Sequence, residues 1–136
     1  MTYKGLQKNI RKLKLPKIGT FKNQYPDKDY AIHLDFPEFT CICPKTGLPD
    51  FAVIMIDYVP DKNCLELKSL KEYFIAYRNL GIFHENVVNK VLEDVTSACK
   101  PRKARVVGEF NNRGGIVTTV EAEFPANKCC QPVGGA

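Results

Sequence analysis

The stretch FAVIMIDYV, residues 51–59, decides the fold class of this 136-residue chain. It opens with six consecutive apolar residues, so both faces are apolar, which predicts a β-strand in a deeply buried position. Upstream, apolar and polar residues alternate over residues 31–36, the period of another strand, and Pro37 closes or bends it. The loop between them, residues 43–50, carries two prolines and a glycine, which indicate an ordered turn.

Downstream of this strand the hydrophobic period changes from two to that of a helix. Apolar residues recur at helical spacing from Ser69 to Leu80, and Gly81 stops the run. A second helix opens at His84 and ends before Pro101. Its predicted apolar face consists of Val88, Val91, Leu92, Val95 and Ala98.

Strands return after the helices, at residues 104–110 and 116–124, with the turn NNRGG at 111–115 between them. The last strand has two predicted faces: Ile116, Val120, Ala122 and Phe124 on one, and Thr119, Glu121 and Glu123 on the other. The order is therefore strand, strand, helix, helix, strand, strand. It predicts an α+β fold, an antiparallel sheet with two helices on one face.

Length and composition predict one soluble globular domain, with 44% hydrophobic and 26% charged residues. We expect it to span residues 28–125, between a basic N-terminal arm, 1–27, and a flexible tail, 126–136. The net charge is +5, and much of the excess lies in Lys4, Lys8, Arg11, Lys12, Lys14 and Lys17. Such an arm can bind nucleic acid or steer anionic ligands, but we interpret it as a solvated end without a stable nucleic-acid partner.

Neither a membrane-spanning apolar run nor a signal-peptide pattern is present, so we expect a cytoplasmic protein with no membrane partner. Its cysteines should then be reduced; they are Cys41, Cys43, Cys64, Cys99, Cys129 and Cys130. None of them has the C-x-x-C spacing of a structural zinc site, and the chain has only two histidines. We therefore predict no metal site.

Cys43 is the first candidate for chemistry, because it lies where a strand passes into a rigid, accessible loop. Lys45 could favour the thiolate, the form that attacks. Asp50, at the other end of the loop, could return across its mouth as a proton donor. Cys41 is the rival nucleophile, and strand alternation alone does not say which cysteine faces a pocket. Two small residues at a strand end are the plain structural alternative.

Three further groups could bind a ligand, and each has a structural alternative. Glu85 could accept two hydrogen bonds from a guanine-type ring, or simply favour the helix N-terminus. Lys68 and Lys71 project from one side of a helix and could grip phosphates at its N-terminus, or be merely solvated. Arg113 could fork onto a phosphate beside Gly114, although the glycines also suit a hairpin turn.

Taken in order, these stretches resemble the 7-cyano-7-deazaguanine reductases (the QueF family), the nitrile reductases of queuosine biosynthesis, in their short single-module form. The resemblance runs from about residue 36 to 116. It rests on FTCICPKTGLPDFA at 39–52, ELKSLK at 66–71, YRN at 77–79, FHE at 83–85 and RGGI at 113–116.

The resemblance implies a tunnelling fold whose subunits assemble into ring-like homo-oligomers, with active sites between neighbours and NADPH as co-substrate. It implies that Cys43 forms a covalent thioimide with the nitrile and that Asp50 donates a proton. The implied substrate-binding residues are Leu65, Glu66, Leu67, His84 and Glu85, with Glu85 anchoring the deazaguanine. The implied NADPH-binding residues are Lys68, Lys71, Arg113 and Gly114. Cys41 departs from the pattern, since a hydroxyl or other small residue is expected there, and Cys43 is the residue in register.

Three alternative functions stay open at this point. An amidinotransferase relative would add ammonia to the same nitrile on tRNA without NADPH; the ELKSLK stretch argues against it and the basic arm favours it. A zinc-dependent pterin enzyme resembling GTP cyclohydrolase would need a Cys/His ligand set that is not evident. A non-catalytic RNA-binding module would use the arm and would tolerate replacement of Cys43.

Overall fold

A computed structural model of the chain describes residues 10–126. Within that range there is one short 3-10 helix, Ile10–Lys12, together with six strands and two α-helices. These are β1 (Thr20–Lys22), β2 (Ile32–Ile42), β3 (Pro49–Val59), β4 (Asn63–Leu65), α1 (Leu67–Ile75), α2 (His84–Cys99), β5 (Lys103–Arg113) and β6 (Ile116–Phe124). Lys4, Lys8, Cys129, Cys130 and all but the first residue of the predicted tail lie outside the described residues.

The main sheet has four antiparallel strands in the order β2-β3-β5-β6. Ile54, at the middle of β3, lies opposite Phe36 on one side and Gly108 on the other. The short strands β1 and β4, which the sequence did not predict, form a separate antiparallel pair. The main sheet and the two helices confirm the predicted order of two strands, two helices and two strands.

Only one face of β3 is buried in the chain, contrary to the expectation for an apolar strand. Ile54 and Ile56 are almost fully buried against the helices, whereas Phe51 on the opposite face is 51% exposed. The physical reason is that the helices cover one side of the sheet. Packing within this chain therefore accounts for the apolar residues on one face of β3 but not for those on the other.

Pro37 does not end β2, which continues to Ile42. The register to β3 shifts between Phe36 and Phe39, so the proline lies at a β-bulge. Because β2 is an edge strand, a residue without an N–H can remain in it. This extension carries the chain directly to Cys43.

The first helix ends at Ile75, earlier than the predicted Leu80. Beyond it the backbone continues in tight turns with i to i−3 bonds, from the Leu80 N–H to the Tyr77 carbonyl, for example, at 3.0 Å. These turns keep a near-helical spacing, which is why the apolar pattern outlasts the helix. The Leu80 carbonyl then accepts the N–H of Ile42 at 2.9 Å, which fixes the end of β2.

The core lies between the sheet and α2, which packs on β5 and β6. Gly108 on β5 allows a close approach, because a Cβ atom there would lie 2.7 Å from Cγ2 of Val88. Of the four β6 residues predicted to share a face, Val120 and Ala122 pack against this core, whereas Ile116 and Phe124 are 69% and 40% exposed. Neither helix among residues 10–126 is long and apolar enough to cross a membrane.

The later part of the predicted basic arm packs onto the domain. Ile10 and Ile18 are buried members of the core cluster, and Thr20–Lys22 pairs with Asn63–Leu65. The amide of Glu66 also donates to the Gly19 carbonyl at 2.9 Å. The described part of the arm is therefore held against the N-terminus of α1.

Candidate active site

The loop after β2 is an ordered turn built around Cys43. The Cys43 N–H donates to the Leu48 carbonyl at 2.8 Å, and the Gly47 N–H donates back to the Cys43 carbonyl at 2.9 Å. Gly47 has φ +73°, a left-handed conformation that a Cβ atom would strain. The proline and glycine pattern therefore predicts this turn correctly, and the turn holds Cys43 between two backbone hydrogen bonds.

The thiols of Cys43 and Cys41 differ in their readiness to ionise. Partial burial acts to raise the pKa of Cys43, but hydrogen bonds from the Thr46 hydroxyl and from the N–H groups of Thr46 and Lys45 outweigh it. The pKa of Cys43 is therefore lowered, with Lys45 contributing through its backbone. Burial raises the pKa of Cys41 to about 12, and its side chain is fully enclosed. Of the two thiols, Cys43 is the one suited to nucleophilic attack.

Asp50 is a buried carboxylate with both oxygens engaged. It is the second residue of β3 and only 4% exposed. Its Oδ2 atom lies 3.0 Å from Nε2 of His84, and its Oδ1 atom accepts from Nη1 of Arg113. Three elements distant in sequence, β3, α2 and the end of β5, thus meet at one carboxylate. As the carboxylate, this group can take a proton from a ligand in the adjoining pocket, and once protonated it can donate one.

His84 is the first residue of α2, and its ring is held flat against Phe110. The two ring centroids lie 3.9 Å apart with an interplanar angle of 10°. Phe110 is buried in the core and makes an edge contact with Phe39. The orientation of the imidazole toward Asp50 is therefore set by core packing as well as by the hydrogen bond.

Arg113 makes hydrogen bonds to three residues of the loop that contains Cys43, residues 43–50. Besides Asp50, its Nη1 atom donates to the Pro49 carbonyl at 3.1 Å, and Nη2 donates to the Thr46 hydroxyl at 3.1 Å. Gly114 follows it in the β5–β6 turn at φ +60°. The planar guanidinium thereby joins Thr46, in the middle of the loop that contains Cys43, to the end of that loop at Pro49 and Asp50.

These side chains surround one cavity of about 270 Å³. It is lined by Cys43, Pro44, Asp50, Phe83, His84, Glu85 and Arg113. The cavity brings together five of the residues predicted from sequence, from the loop, β3, α2 and β5. Glu85 is exposed at its rim, where its carboxylate is accessible to a ligand.

The other predicted residues, 65–71, do not line this cavity. Leu65 is buried, and its N–H donates to the Tyr58 hydroxyl at 2.9 Å. The Glu66 carboxylate caps α1 by accepting the N–H groups of Ser69 and Lys68, at 3.0 and 2.6 Å. These hydrogen bonds lower the pKa of Glu66. We expected this helix N-terminus to help bind phosphate, but its N–H groups at Lys68 and Ser69 already donate to the Glu66 carboxylate.

Lys68 and Lys71 are exposed on α1, and neither ammonium group lies within 4.0 Å of a carboxylate oxygen among residues 10–126. Lys71 and Leu67 line a second cavity, of about 320 Å³, beside β2 and β3. Two exposed ammonium groups on one helix suit the phosphates of a dinucleotide. The residues present are thus compatible with NADPH in this region.

Three residues of the site escaped the sequence analysis. Thr46 has a weak signal, since a threonine in a Pro/Gly loop often bonds its own turn. Phe83 directly precedes α2 and lines the cavity. Phe110 lies in a strand pattern that gives no hint of its stacking on His84. Among residues 10–126, no group of three or more His, Cys, Asp or Glu side chains is placed to hold a metal ion.

Comparison with solved structures bears on the fold. The chain superposes on the crystal structure of the archaeosine synthase QueF-Like in the apo form with a TM-score of 0.66. The match covers 71% of this chain and 94% of that one at 24% identity, which shows the fold. The chain therefore has a tunnelling fold, as expected from the resemblance.

The family follows from sequence comparison. The model of the QueF-like proteins matches residues 49–128. A protein of Elusimicrobium minutum named NADPH-dependent 7-cyano-7-deazaguanine reductase is 58% identical, over 82% of this chain and 83% of that protein. Proteins of the same name from Chloroherpeton thalassium and Nitrosococcus oceani are 54% and 57% identical; these matches cover 82% and 79% of this chain and 96% and 83% of those proteins. This chain belongs to the QueF-like family.

Proposed function

We propose that this protein reduces the nitrile of 7-cyano-7-deazaguanine to the aminomethyl group, with NADPH as reductant, in queuosine biosynthesis. The observation that carries the proposal is the cavity lined by the Cys43 thiol, whose pKa is lowered, together with the buried Asp50 and its hydrogen-bond partner His84. Relatives that cover most of the chain bear the name of this reductase. We place the reaction in the cytoplasm.

The first step is attack by the Cys43 thiolate on the electrophilic nitrile carbon. A bond forms between Sγ and carbon, one C–N π bond breaks, and the nitrogen takes a proton from Asp50. The product is a thioimide covalently attached to Cys43. His84, hydrogen-bonded to Asp50 at 3.0 Å, can return a proton to that carboxylate for the next step.

The later steps use the same side chains. When bound, NADPH supplies hydride, and because conversion of a nitrile to an amine takes four electrons, each nitrile requires two hydrides. Cys43 leaves as thiolate when the C–S bond breaks, which gives an imine. Asp50 and His84 deliver the remaining protons.

Substrate recognition is assigned to the rim of the cavity. Glu85 is exposed there at the start of α2, where its two oxygens can accept the paired N–H groups of the deazaguanine ring. His84 flanks it and faces the cavity. Leu65, Glu66 and Leu67 are assigned to the wall of the same site, contributed by a second copy of the chain.

A ring-like homo-oligomer would unite the two halves of the site. Within one chain, residues 65–71 lie outside the cavity of Cys43, so a neighbouring copy must bring them to it. Support comes from exposed apolar side chains, Phe51, Ile116 and Val117, at 51%, 69% and 69% exposure. The edge strands β2 and β6 also offer backbone groups for pairing. NADPH phosphates are assigned to Lys68 and Lys71, with Arg113 and Gly114 adjacent.

The proposed reductase domain spans residues 28–125 and is followed by the tail, and the described part of the basic arm packs onto it. The test of function is NADPH oxidation by the purified protein in the presence of 7-cyano-7-deazaguanine, with Cys43→Ala as the inactive control. Oxidation that depends on both the nitrile and Cys43 supports the reductase. A nitrile adduct on Cys43 without NADPH oxidation would instead indicate an ammonia-adding enzyme.

A further inference from the structure

The hydroxyl of Thr46 has a fixed direction in this structure. Its oxygen accepts the Leu48 N–H at 3.2 Å and Nη2 of Arg113 at 3.1 Å. A hydroxyl oxygen has two acceptor positions and one proton to donate. Because both acceptor positions are used, the remaining proton is directed away from both donors. Thr46 lies in the turn closed by the Gly47 N–H and the Cys43 carbonyl, and a hydrogen bond from its side chain is among the contacts that lower the pKa of Cys43.

Arg113 connects this hydroxyl to the buried carboxylate. One guanidinium nitrogen donates to Thr46 while the other donates to Asp50 and to the Pro49 carbonyl. A guanidinium can make these contacts together because it is planar and has five N–H donors. One side chain thus ties the middle of the loop that contains Cys43 to Asp50.

We propose that Thr46 and Arg113 are positioning residues. Thr46 directs its hydroxyl proton at the Cys43 sulfur, and Arg113 holds the Thr46 hydroxyl in place relative to Asp50. The proposal rests on the proposed function only for the identity of the electrophile. It gives Arg113 a task beyond the expected cofactor contact. If Arg113 served only NADPH, a lysine with the same charge could replace it without changing the reactivity of Cys43 in the absence of cofactor.

The test is the pH dependence of Cys43 alkylation by iodoacetamide, without nitrile or NADPH, with the modified cysteine identified by peptide mass spectrometry. The charged and titratable groups around Cys43 are Lys45 in its own loop, Cys41 on β2, Asp50 on β3, His84 and Glu85 on α2, and Arg113 on β5. The variants Thr46→Val and Thr46→Ser leave all of them in place. Valine keeps the shape of the side chain, and serine keeps the hydroxyl.

We expect Thr46→Val to move the alkylation midpoint upward and to slow the reaction at neutral pH by about three- to tenfold, which corresponds to ~0.5–1 pKa unit. Thr46→Ser should restore the parent profile. A Thr46→Val profile that superposes on the parent overturns the proposal. If circular dichroism shows that this variant does not fold, Thr46→Ala is judged by the same criterion.

Arg113→Lys tests whether Arg113 connects Thr46 to Asp50, because lysine keeps the positive charge but lacks the two guanidinium nitrogens that make these hydrogen bonds. We expect its alkylation midpoint to rise, by less than in Thr46→Val, since the hydroxyl is then free to rotate. An unchanged profile would overturn the role given to Arg113. Alkylation requires neither substrate nor cofactor, so a shifted profile in a protein that never oxidises NADPH would refute the proposed function and leave the positioning role standing.

Discussion

The Nε2 atom of His84 lies 3.0 Å from the Oδ2 atom of Asp50, which ties the first residue of α2 to the beginning of β3. The imidazole also stacks on Phe110 of β5, 3.9 Å away. The geometry of the proposed acid–base pair therefore depends on how closely α2 packs on the sheet. Gly108 permits that close packing.

Gly108→Ala should disturb both stability and the site. The added methyl would lie 2.7 Å from Cγ2 of Val88 and 2.8 Å from Cε1 of Phe110. Overpacking of this kind costs about 1–3 kcal/mol, and movement of Phe110 would tilt His84. Urea denaturation should show a lower midpoint than in the parent protein. Turnover should also fall under conditions where Gly108→Ala is still folded. Glu109→Ala, on the opposite face of β5, is the control, and equal effects of both variants would contradict this account.

Asp50→Asn should slow chemistry while leaving nitrile affinity largely in place. Asparagine retains the size of the side chain but is not an acid, so the nitrogen loses its proton donor; general acid catalysis typically contributes about 10²–10⁴ in rate. The rate is read from single-turnover thioimide formation. Affinity is measured by calorimetry in a Cys43→Ala background, where no covalent adduct forms. Loss of binding there would make Asp50 a structural residue.

The two neighbouring cysteines should behave oppositely. Near neutral pH, iodoacetamide should modify Cys43 and spare Cys41, because burial raises the pKa of Cys41 to about 12 while that of Cys43 is lowered. Cys43→Ala should abolish turnover and the nitrile adduct, whereas Cys41→Ala should retain the adduct. Intact-protein mass spectrometry of each variant shows whether the nitrile adduct is present. An adduct that survives Cys43→Ala and disappears in Cys41→Ala would transfer the nucleophile to Cys41.

Glu66→Gln should destabilise the protein in a pH-dependent way. Hydrogen bonds from Ser69 and Lys68 hold the folded-state pKa of Glu66 below its ordinary value of 4.5. The carboxylate therefore stabilises the fold fully above that ordinary value, and the contribution is lost as pH falls through the lower folded value. The stability difference between parent and variant should be constant near neutral pH and shrink below about pH 4.5. Thermal unfolding measures it, with the exposed Glu72→Gln on the same helix as control; a difference that is flat down to pH 3 would argue against the cap.

The features that the sequence predicts correctly are local ones. Alternation and helical spacing place the main strands and helices, because side-chain burial repeats with the period of the backbone. The errors lie where tertiary position overrides a local signal. Pro37 is accommodated because β2 is an edge strand, and the apolar spacing after Ile75 continues through tight turns rather than a helix.

The site was predictable only in part, for the same reason. The resemblance predicted roles for Cys43 and Asp50, and their ordered loop was readable from its prolines and glycine. That Arg113 reaches Asp50 depends on the pairing of β3 with β5, which composition does not reveal. The separation of residues 65–71 from the cavity is likewise a tertiary fact. Assembly of the complete site from two copies stays a prediction.

The measurement that tests the central claim most directly is the number of NADPH molecules oxidised per nitrile consumed, with 7-cyano-7-deazaguanine as the limiting reagent. NADPH is followed by its near-ultraviolet absorbance and the amine by mass spectrometry. The account predicts about two NADPH for each aminomethyl product, as four-electron chemistry requires. Consumption of the nitrile with no NADPH oxidised, by folded protein that carries the Cys43 adduct, would contradict it.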